Sequence, residues 1–241
     1  MSSLRQGSQS GWAAYWDREE IFSDRLAFLA SRHFIRASFP FMDYRHDDTL
    51  LDVGCGNGHI SGQLSRCVGE LVGIDTSPRS IATCKGRLDG QSNASFALLS
   101  ADRPFDFAFL APRKFQKIIC VSVVQYYAEV EDLAQLIAAV RNIAAPGARF
   151  LVADILMTTS VLNDTIGAVI GALRAGCIVE KVKFLARAAN SEYLTNRRRN
   201  RLLSFDKKTL ELALRDFGAP GTLIGAQLTL NSSRRHVLYQ F

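Results

Sequence analysis

The feature that most constrains this chain is an alternation of short apolar runs with amphipathic helical periods, from about residue 49 to residue 155. Each run has the length of a strand, and each intervening segment repeats its apolar residues at helical spacing. The predicted strands cover residues 50–53, 71–74, 96–99, 117–121 and 150–155. Strands that alternate with helices form a parallel sheet with right-handed crossovers. The sequence therefore predicts a doubly wound α/β domain.

The two ends of the chain follow other patterns. Residues 12–41 have helical spacing and are predicted to form an N-terminal helical cap. Near the other end, a helix is predicted between an Asp206 N-cap and a Gly218 C-cap. Residues 223–230 and 236–241 then form two predicted strands, with no room between them for a crossover helix. We therefore expect the sheet to finish with an antiparallel hairpin.

Length and composition limit the chain to one main domain. The sequence has 241 residues, of which 48% are hydrophobic and 22% charged. We predict a helical segment or lid over residues 1–45 and a sheet domain over residues 46–241, with an insert at about residues 156–204. The most apolar stretch, residues 166–179, is interrupted by Arg174, so no membrane span is predicted.

The cellular location is also an expectation from the sequence. The first residues lack the cationic and apolar blocks of a signal peptide, so a cytoplasmic location is expected. The 5 cysteines have no redox or zinc spacing, and we interpret them as reduced and mostly buried.

A glycine-rich loop follows the first predicted strand. Asp52 is followed by Gly54, Gly56 and Gly58, and glycines at these positions let the backbone turn sharply and approach a ligand. The helix that follows presents free N–H groups to the same place. A dinucleotide site needs a further glycine where this chain has His59, which argues against an NAD-linked oxidoreductase.

An acidic residue ends the second predicted strand. A carboxylate at Asp75 is placed to accept hydrogen bonds from both hydroxyls of a ribose. Taken alone, Asp75 is also compatible with a cap for the helix that begins at Ser77 and Pro78. Together with the glycine loop, it indicates a nucleoside pocket at the carboxyl edge of the sheet.

With these residues in place, the stretch from about residue 49 to residue 154 resembles the core of the class I S-adenosylmethionine-dependent methyltransferases, of the small-molecule type. The resemblance implies a seven-stranded Rossmann-like sheet with a C-terminal antiparallel hairpin. It also implies S-adenosylmethionine as cofactor and S-adenosylhomocysteine as product. By this resemblance the cofactor contacts are Asp52, Gly54, Cys55, Gly56, Gly58, Asp75, Thr76, Ala101, Asp102, Val121, Ser122 and Gln125.

The matching positions have separate implied roles. The glycine loop holds the methionine part of the cofactor, Asp75 the ribose and Asp102 the adenine amino group, while residues 121–127 flank the methyl group. Two positions depart from the pattern: Gln116 stands where relatives usually have Asp, and Asp106 lies close enough to compete with Asp102 for the adenine role.

Methyl transfer is an in-line displacement that mainly requires positioning of the acceptor and exclusion of water. A hydroxyl acceptor also needs a base, whereas an amine or carboxylate does not. His33, Tyr126 and Tyr127 are the weak catalytic candidates, and packing or pocket-wall roles are the alternatives.

No metal site is predicted. The aromatic group of Trp12, Tyr15 and Trp16 is interpreted either as a lid or as a core plug.

The acceptor region is predicted between the fifth strand and the last helix. Residues 161–179 are apolar and suit a hydrophobic pocket, a homodimer contact or simple core. The basic run at residues 197–201 suits an anionic or phosphate-bearing small-molecule acceptor, or else a solvated surface. The predicted reaction is methylation of an oxygen or nitrogen of such a molecule, a natural product, a sugar or similar.

Two other functions stay open at this point. RNA methylation is suggested by the net charge of +6, but the chain has no added RNA-binding module and no N-P-P-Y or D-P-P-Y tetrapeptide after the fourth strand. Nucleic acid is therefore an unlikely partner. The second alternative is a non-catalytic binding protein that retains the fold.

Overall fold

The computed structural model describes Trp12, Tyr15, Trp16 and residues 23–157, 160–189, 191–217 and 219–241. A central sheet of seven strands organises this part of the chain. The strands are β1 (Thr49–Val53), β2 (Glu70–Asp75), β3 (Ala94–Leu98), β4 (Phe115–Val121), β5 (Ala144–Ile155), β6 (Gly221–Ile224) and β7 (Arg235–Gln240).

The strand order is β3-β2-β1-β4-β5-β7-β6. Strands β1 to β5 pair in parallel, whereas β7 is antiparallel to both of its neighbours, β5 and β6. The predicted mostly parallel sheet with a C-terminal antiparallel pair is therefore confirmed. The topology reverses between β1 and β4, so the carboxyl ends of these two strands border a crevice in which open α/β sheets bind ligands.

Helices cover both faces of the sheet. They are α1 (Asp24–Met42), α2 (His59–Leu64), α3 (Pro78–Arg87), α4 (Glu131–Ile143), α5 (Val161–Arg174), α6 (Ile178–Ala189), α7 (Glu192–Arg199) and α8 (Lys207–Asp216). Alternate residues of one strand enter different cores: Ile118 of β4 packs with α4 and α8, and Ile119 packs with α1 and α2. Burial on both faces explains why the central strands are continuously apolar.

The helical pattern predicted for residues 12–41 is confirmed in the part of this segment that the structure describes, with a helix start at Asp24. Helix α1 begins at Asp24, where the Ser23 hydroxyl caps it by accepting a hydrogen bond from the Leu26 amide. Trp12, Tyr15 and Trp16 are also helical. The division into a segment at 1–45 and a domain at 46–241 stays a prediction.

The helix after the glycine loop is shorter than the helical spacing of the apolar residues Ile60, Leu64, Cys67 and Val68 predicts. Helix α2 ends at Leu64, and the Asn93 side-chain amide donates to the carbonyl oxygens of Ser65 and Val68. These bonds satisfy backbone groups in a tight turn and therefore replace a further helical turn.

Gln116 has a structural role, because its side-chain oxygen accepts a hydrogen bond from the Thr49 amide at 2.8 Å and joins the starts of β1 and β4.

The strand predicted over residues 223–230 is wrong beyond Ile224, where β6 ends. The Leu228 amide instead donates to Nε2 of His236, and the Thr229 hydroxyl donates to Asp154. These bonds bend the chain over the carboxyl end of β5. The Asp206 N-cap is confirmed, since its carboxylate accepts from the Thr209 amide, while the proposed Gly218 cap lies outside the described residues.

None of the helices in the described part of the chain has the length and apolar character needed to cross a membrane. All five cysteines are free, and four of them are buried, as expected.

Candidate active site

A cavity of about 720 Å³ opens at the carboxyl ends of the central parallel strands. One part of its wall, here called the loop side, includes Gly54, Gly56 and Asp75. Another part of the wall is here called the aromatic side. It includes five aromatic and five charged residues, Trp12, Trp16, Tyr126, Phe184, Tyr193, Asp154, Asp164, Lys181, Arg197 and Arg234. The cavity therefore joins a glycine loop to an aromatic chamber that contains charged groups.

The glycine loop needs its glycines for two physical reasons. Gly54, Gly56 and Gly58 have φ angles of +73°, +52° and +77°, which side chains disfavour. A Cβ atom on Gly54 would lie 2.4 Å from Cγ2 of Val123, and one on Gly58 would lie 2.8 Å from Sγ of Cys84. Gly56 instead has nothing within 4 Å of such a position, so its backbone faces open space in the cavity.

Asp75 fixes the loop and faces the cavity. One carboxylate oxygen accepts from the Gly56 amide at 2.9 Å and the other accepts from the Ser77 amide at 2.8 Å. Burial raises the pKa of Asp75, while these backbone hydrogen bonds act in the opposite direction. Each carboxylate oxygen retains a further lone pair, so Asp75 has acceptor capacity for two hydroxyl groups of a ligand.

Asp52 lies beneath the loop rather than in the cavity wall. It is fully buried, and its carboxylate accepts from the Ser61 hydroxyl at 2.6 Å, which connects the end of β1 to α2. Burial raises the pKa of Asp52 to about 7, in spite of that hydrogen bond. Asp52 therefore supports the loop from outside the cavity.

Most of the residues that the sequence assigned to the cofactor line one cavity. These are Gly54, Cys55, Gly56, Asp75, Thr76, Ala101, Val121, Ser122 and Gln125. Asp52, Gly58 and Asp102 are not among the lining residues, and Asp102 is exposed. The competing residue, Asp106, makes a surface ion pair with Arg103.

The catalytic candidates have separate outcomes. His33 lies outside the cavity wall, and its Nε2 atom is 3.3 Å from the carbonyl oxygen of Gln227. Tyr126 and Tyr127 do line the cavity, but burial raises the pKa of both phenols well above the usual value. Protonated phenols of this kind donate hydrogen bonds and do not act as bases.

Two strained residues meet where β4 and β5 end. Ser122 and Asp154 have φ angles of 61° and 70°, which are uncommon for residues with side chains. The Ser122 hydroxyl donates to Asp154 at 2.8 Å, and the Thr229 hydroxyl donates to its other oxygen at 2.7 Å. Burial alone would raise the pKa of Asp154, but Arg234 and these hydroxyls outweigh it and hold the pKa below the usual value. Asp154 therefore stays ionised.

A buried ion cluster lies on the aromatic side. Asp164 of α5 accepts from Arg197 of α7 at 3.0 Å and from Arg234 at 2.8 Å. Asn231 also donates to Asp164, and Arg234 donates to the Gln125 side-chain oxygen at 2.8 Å. Sequence reasoning missed this cluster because its members are far apart in the chain. Its only signal was the basic run, of which Arg197 turns inward.

The N-terminal aromatic group closes one wall of the cavity. Trp12 is buried with Leu156 and Leu202, and its ring centroid lies 5.0 Å from that of Tyr126. Its indole N–H donates to the carbonyl oxygen of Asn200 at 2.5 Å. Trp12 also lines the cavity, so it is both a buried core residue and a part of the cavity wall.

In the part of the chain that the structure describes, no group of His, Cys, Asp or Glu side chains is arranged to hold a metal ion.

Comparison with known proteins identifies the family. A family model described as "Methyltransferase domain" matches residues 45–207, more than half of the chain. The chain belongs to this methyltransferase family. The resemblance to class I S-adenosylmethionine-dependent methyltransferases, which the glycine loop and Asp75 indicated, is thereby confirmed.

Two curated methyltransferases are similar over part of their length. Demethylmenaquinone methyltransferase of Tropheryma whipplei (strain Twist) is 26% identical over 142 residues, which cover 59% of this chain and 55% of that protein. Ubiquinone biosynthesis O-methyltransferase of Pseudoalteromonas translucida is 30% identical over 131 residues, which cover 52% and 50%. The match thus spans about half the length of these relatives.

Solved methyltransferase structures share the fold at low identity. Phosphoethanolamine N-methyltransferase 1 of Haemonchus contortus, in complex with phosphoethanolamine and S-adenosylhomocysteine, has a TM-score of 0.65 at 12% identity and covers 100% of this chain and 49% of that one. The N-methyltransferase NodS of Bradyrhizobium japonicum, in complex with S-adenosylhomocysteine, has a TM-score of 0.52 at 17% identity, covering 87% and 84%. Both agree with the predicted methyltransferase fold.

Proposed function

We propose that this methyltransferase binds S-adenosylmethionine on the loop side of the cavity and methylates an oxygen or nitrogen atom of a small molecule held on the aromatic side. The observation that carries the proposal is the shared cavity. Gly56 and Asp75 line the same cavity as the residues of the aromatic side, so a bound cofactor and a bound acceptor can come into direct contact there.

The loop side fits the cofactor in shape and in chemistry. The open space above Gly56 leaves room for backbone contact with the methionine part, and the Asp75 carboxylate has acceptor capacity for both ribose hydroxyls. Ala101, which the resemblance places at the adenine end of the cofactor, also lines the cavity. When bound, S-adenosylmethionine supplies an electrophilic methyl group on a sulfonium centre.

The remaining chemistry concerns the acceptor's proton. Asp154 is ionised, but a carboxylate whose pKa is lowered is a weak base, so we assign it a positioning role. His33 lies outside the cavity, and Tyr126 is protonated. This environment favours an acceptor that needs no strong base, such as an amine or an acidic hydroxyl. The predicted homodimer contact at residues 161–179 stays a prediction.

Transfer of a labelled methyl group tests the proposal. The protein is incubated with methyl-labelled S-adenosylmethionine and, separately, with a panel of amino- and hydroxy-substituted small molecules and with total RNA. We expect label in one or more small molecules, loss of that activity in Asp75→Asn, and retention in the exposed control Asp89→Asn. Label only in RNA, with a steep loss of activity as salt rises, would favour the alternative function.

A further inference from the structure

The aromatic side of the cavity carries more positive than negative charge. Three cationic side chains line it, Lys181, Arg197 and Arg234, and they face two carboxylates, Asp154 and Asp164. The nearby His236 adds no charge at neutral pH, because burial lowers its pKa to about 4. The described part of the chamber therefore has one positive charge in excess.

The two arginines are fixed in place but are not fully satisfied. Asp164 holds both, and their side chains are only 11% and 8% exposed for Arg197 and Arg234. Among the described residues, Nη2 of Arg197 and Nε of Arg234 are buried N–H groups with no hydrogen-bond partner. A buried donor without a partner is unfavourable, so an oxygen acceptor that enters the cavity would be bound favourably here.

Among the described residues, no carboxylate balances the charge of Lys181 at contact distance. Its Nζ atom lies 4.9 Å from the centre of the Phe184 ring, and none of the described carboxylates is within ion-pair distance of it. Burial lowers the pKa of Lys181, and the more distant Asp154 and Asp164 oppose that shift. A partly desolvated ammonium beside an apolar ring is stabilised by an anion that enters the chamber.

The charge and the shape of the chamber together define the ligand. The one excess positive charge among the described groups matches a monoanion, whereas a phosphate dianion would leave a negative charge beside aromatic rings. The rings of Trp12, Tyr126, Phe184 and Tyr193 suit a planar apolar body. Building on the proposed function, we propose that the methyl acceptor is an aromatic carboxylate, whose carboxylate group is held by Lys181 together with Arg197 and Arg234.

Equilibrium binding of three simple probes tests this proposal. Protein saturated with S-adenosylhomocysteine is titrated in a calorimeter with benzoate, benzamide and phenyl phosphate, which share a ring and differ in the charge of its substituent. We expect benzoate to bind at least about tenfold more tightly than benzamide, and more tightly than phenyl phosphate. In Lys181→Met most of the preference for benzoate should disappear, with binding of S-adenosylhomocysteine unchanged.

Controls separate this inference from the proposed function. Lys183→Met and Arg199→Gln change exposed cations on the same two helices, α6 and α7, and should keep the benzoate preference. Equal affinity for benzoate and benzamide, tighter phenyl phosphate binding, undetectable benzoate binding, or a preference that survives Lys181→Met would each overturn the inference. Failure to bind S-adenosylhomocysteine would instead count against the proposed function itself.

Discussion

At the level of single residues, the carboxyl group of Asp52 is fully buried, and burial favours its protonated form. Its pKa is raised by burial from an ordinary value of 3.8 to about 7. At a pH between these two pKa values, Asp52 is more protonated in the folded protein than in the unfolded chain. The free energy of unfolding therefore falls as pH rises through this range. The stabilising effect of the protonated form is complete at low pH and is lost as pH approaches 7.

Replacement of this carboxyl by an amide should remove that pH dependence. We expect Asp52→Asn to gain stability relative to wild type by about 1.4 kcal/mol per pH unit between about pH 4 and pH 7, with no further gain at higher pH. Urea unfolding at several pH values measures the difference. The exposed control Asp89→Asn should show no such trend, and a flat difference for Asp52→Asn would contradict the assignment.

Gly54 is the position at which an added methyl group should destabilise the glycine loop most. An alanine there combines a φ of +73° with a Cβ atom 2.4 Å from the Val123 side chain. We expect Gly54→Ala to lower the free energy of unfolding by about 2–4 kcal/mol and to weaken S-adenosylhomocysteine binding. Chemical denaturation and calorimetry measure the two effects.

Gly62 provides the matched control within the same region. It lies in α2, where an added Cβ would make an ordinary 3.5 Å contact with Leu88. Gly62→Ala should leave stability unchanged or raise it by up to about 1 kcal/mol, because alanine reduces the entropy of the unfolded chain. Equal losses in both variants would contradict the strain assigned to Gly54.

The positions of the residues assigned to the cofactor were only partly predictable from sequence. The glycines were visible because a left-handed backbone selects that residue type, as at Gly54. Whether a motif residue faces the cavity depends on the turn of the backbone, which the motif does not specify. Asp52 and Gly58 therefore support the loop from outside the cavity wall, and Asp102 is exposed.

At the level of elements, ring contacts and a hydrogen bond connect the N-terminal aromatic group to α7 and its C-cap. Trp12 packs against Tyr193 and Tyr126 and donates to the Asn200 carbonyl oxygen. We expect Trp12→Ala to speed hydrogen exchange in peptides that cover residues 12–16 and 193–200, and to leave β1 to β5 unchanged.

Trp12→Phe is the matched variant for this contact. Phenylalanine keeps an aromatic ring against Tyr126 but removes the indole N–H donor. Hydrogen exchange in the same peptides should therefore be faster than in wild type and slower than in Trp12→Ala. Unchanged exchange in both variants would mean that Trp12 does not anchor the segment to α7.

Element types were predictable because apolar periodicity differs between strand and helix, but some boundaries were not. Helix α2 stops at Leu64 because Asn93, which lies beyond β2 in the sequence, satisfies the turn that follows. Strand β6 stops at Ile224 because His236 takes the Leu228 amide. Both boundaries depend on tertiary hydrogen bonds, which a local pattern does not contain.

At the level of the whole molecule, the loop side of the cavity was predictable and most of the aromatic side was not. The loop side comes from a compact stretch of sequence with a recognisable spacing. The aromatic side joins Asp154, Asp164, Arg197 and Arg234, which come from distant parts of the chain. Only the fold brings these four side chains together, so no local pattern in the sequence predicts the aromatic side.

The most direct test of the central claim is calorimetric titration of the purified protein with S-adenosylmethionine and S-adenosylhomocysteine. Both should bind wild type, and Asp75→Asn should weaken the binding at least about tenfold, because it removes a charged acceptor from the cavity wall. Asp89→Asn should bind like wild type. Absence of binding to wild type, or equal binding by Asp75→Asn, would contradict the assignment of the loop side as the cofactor site.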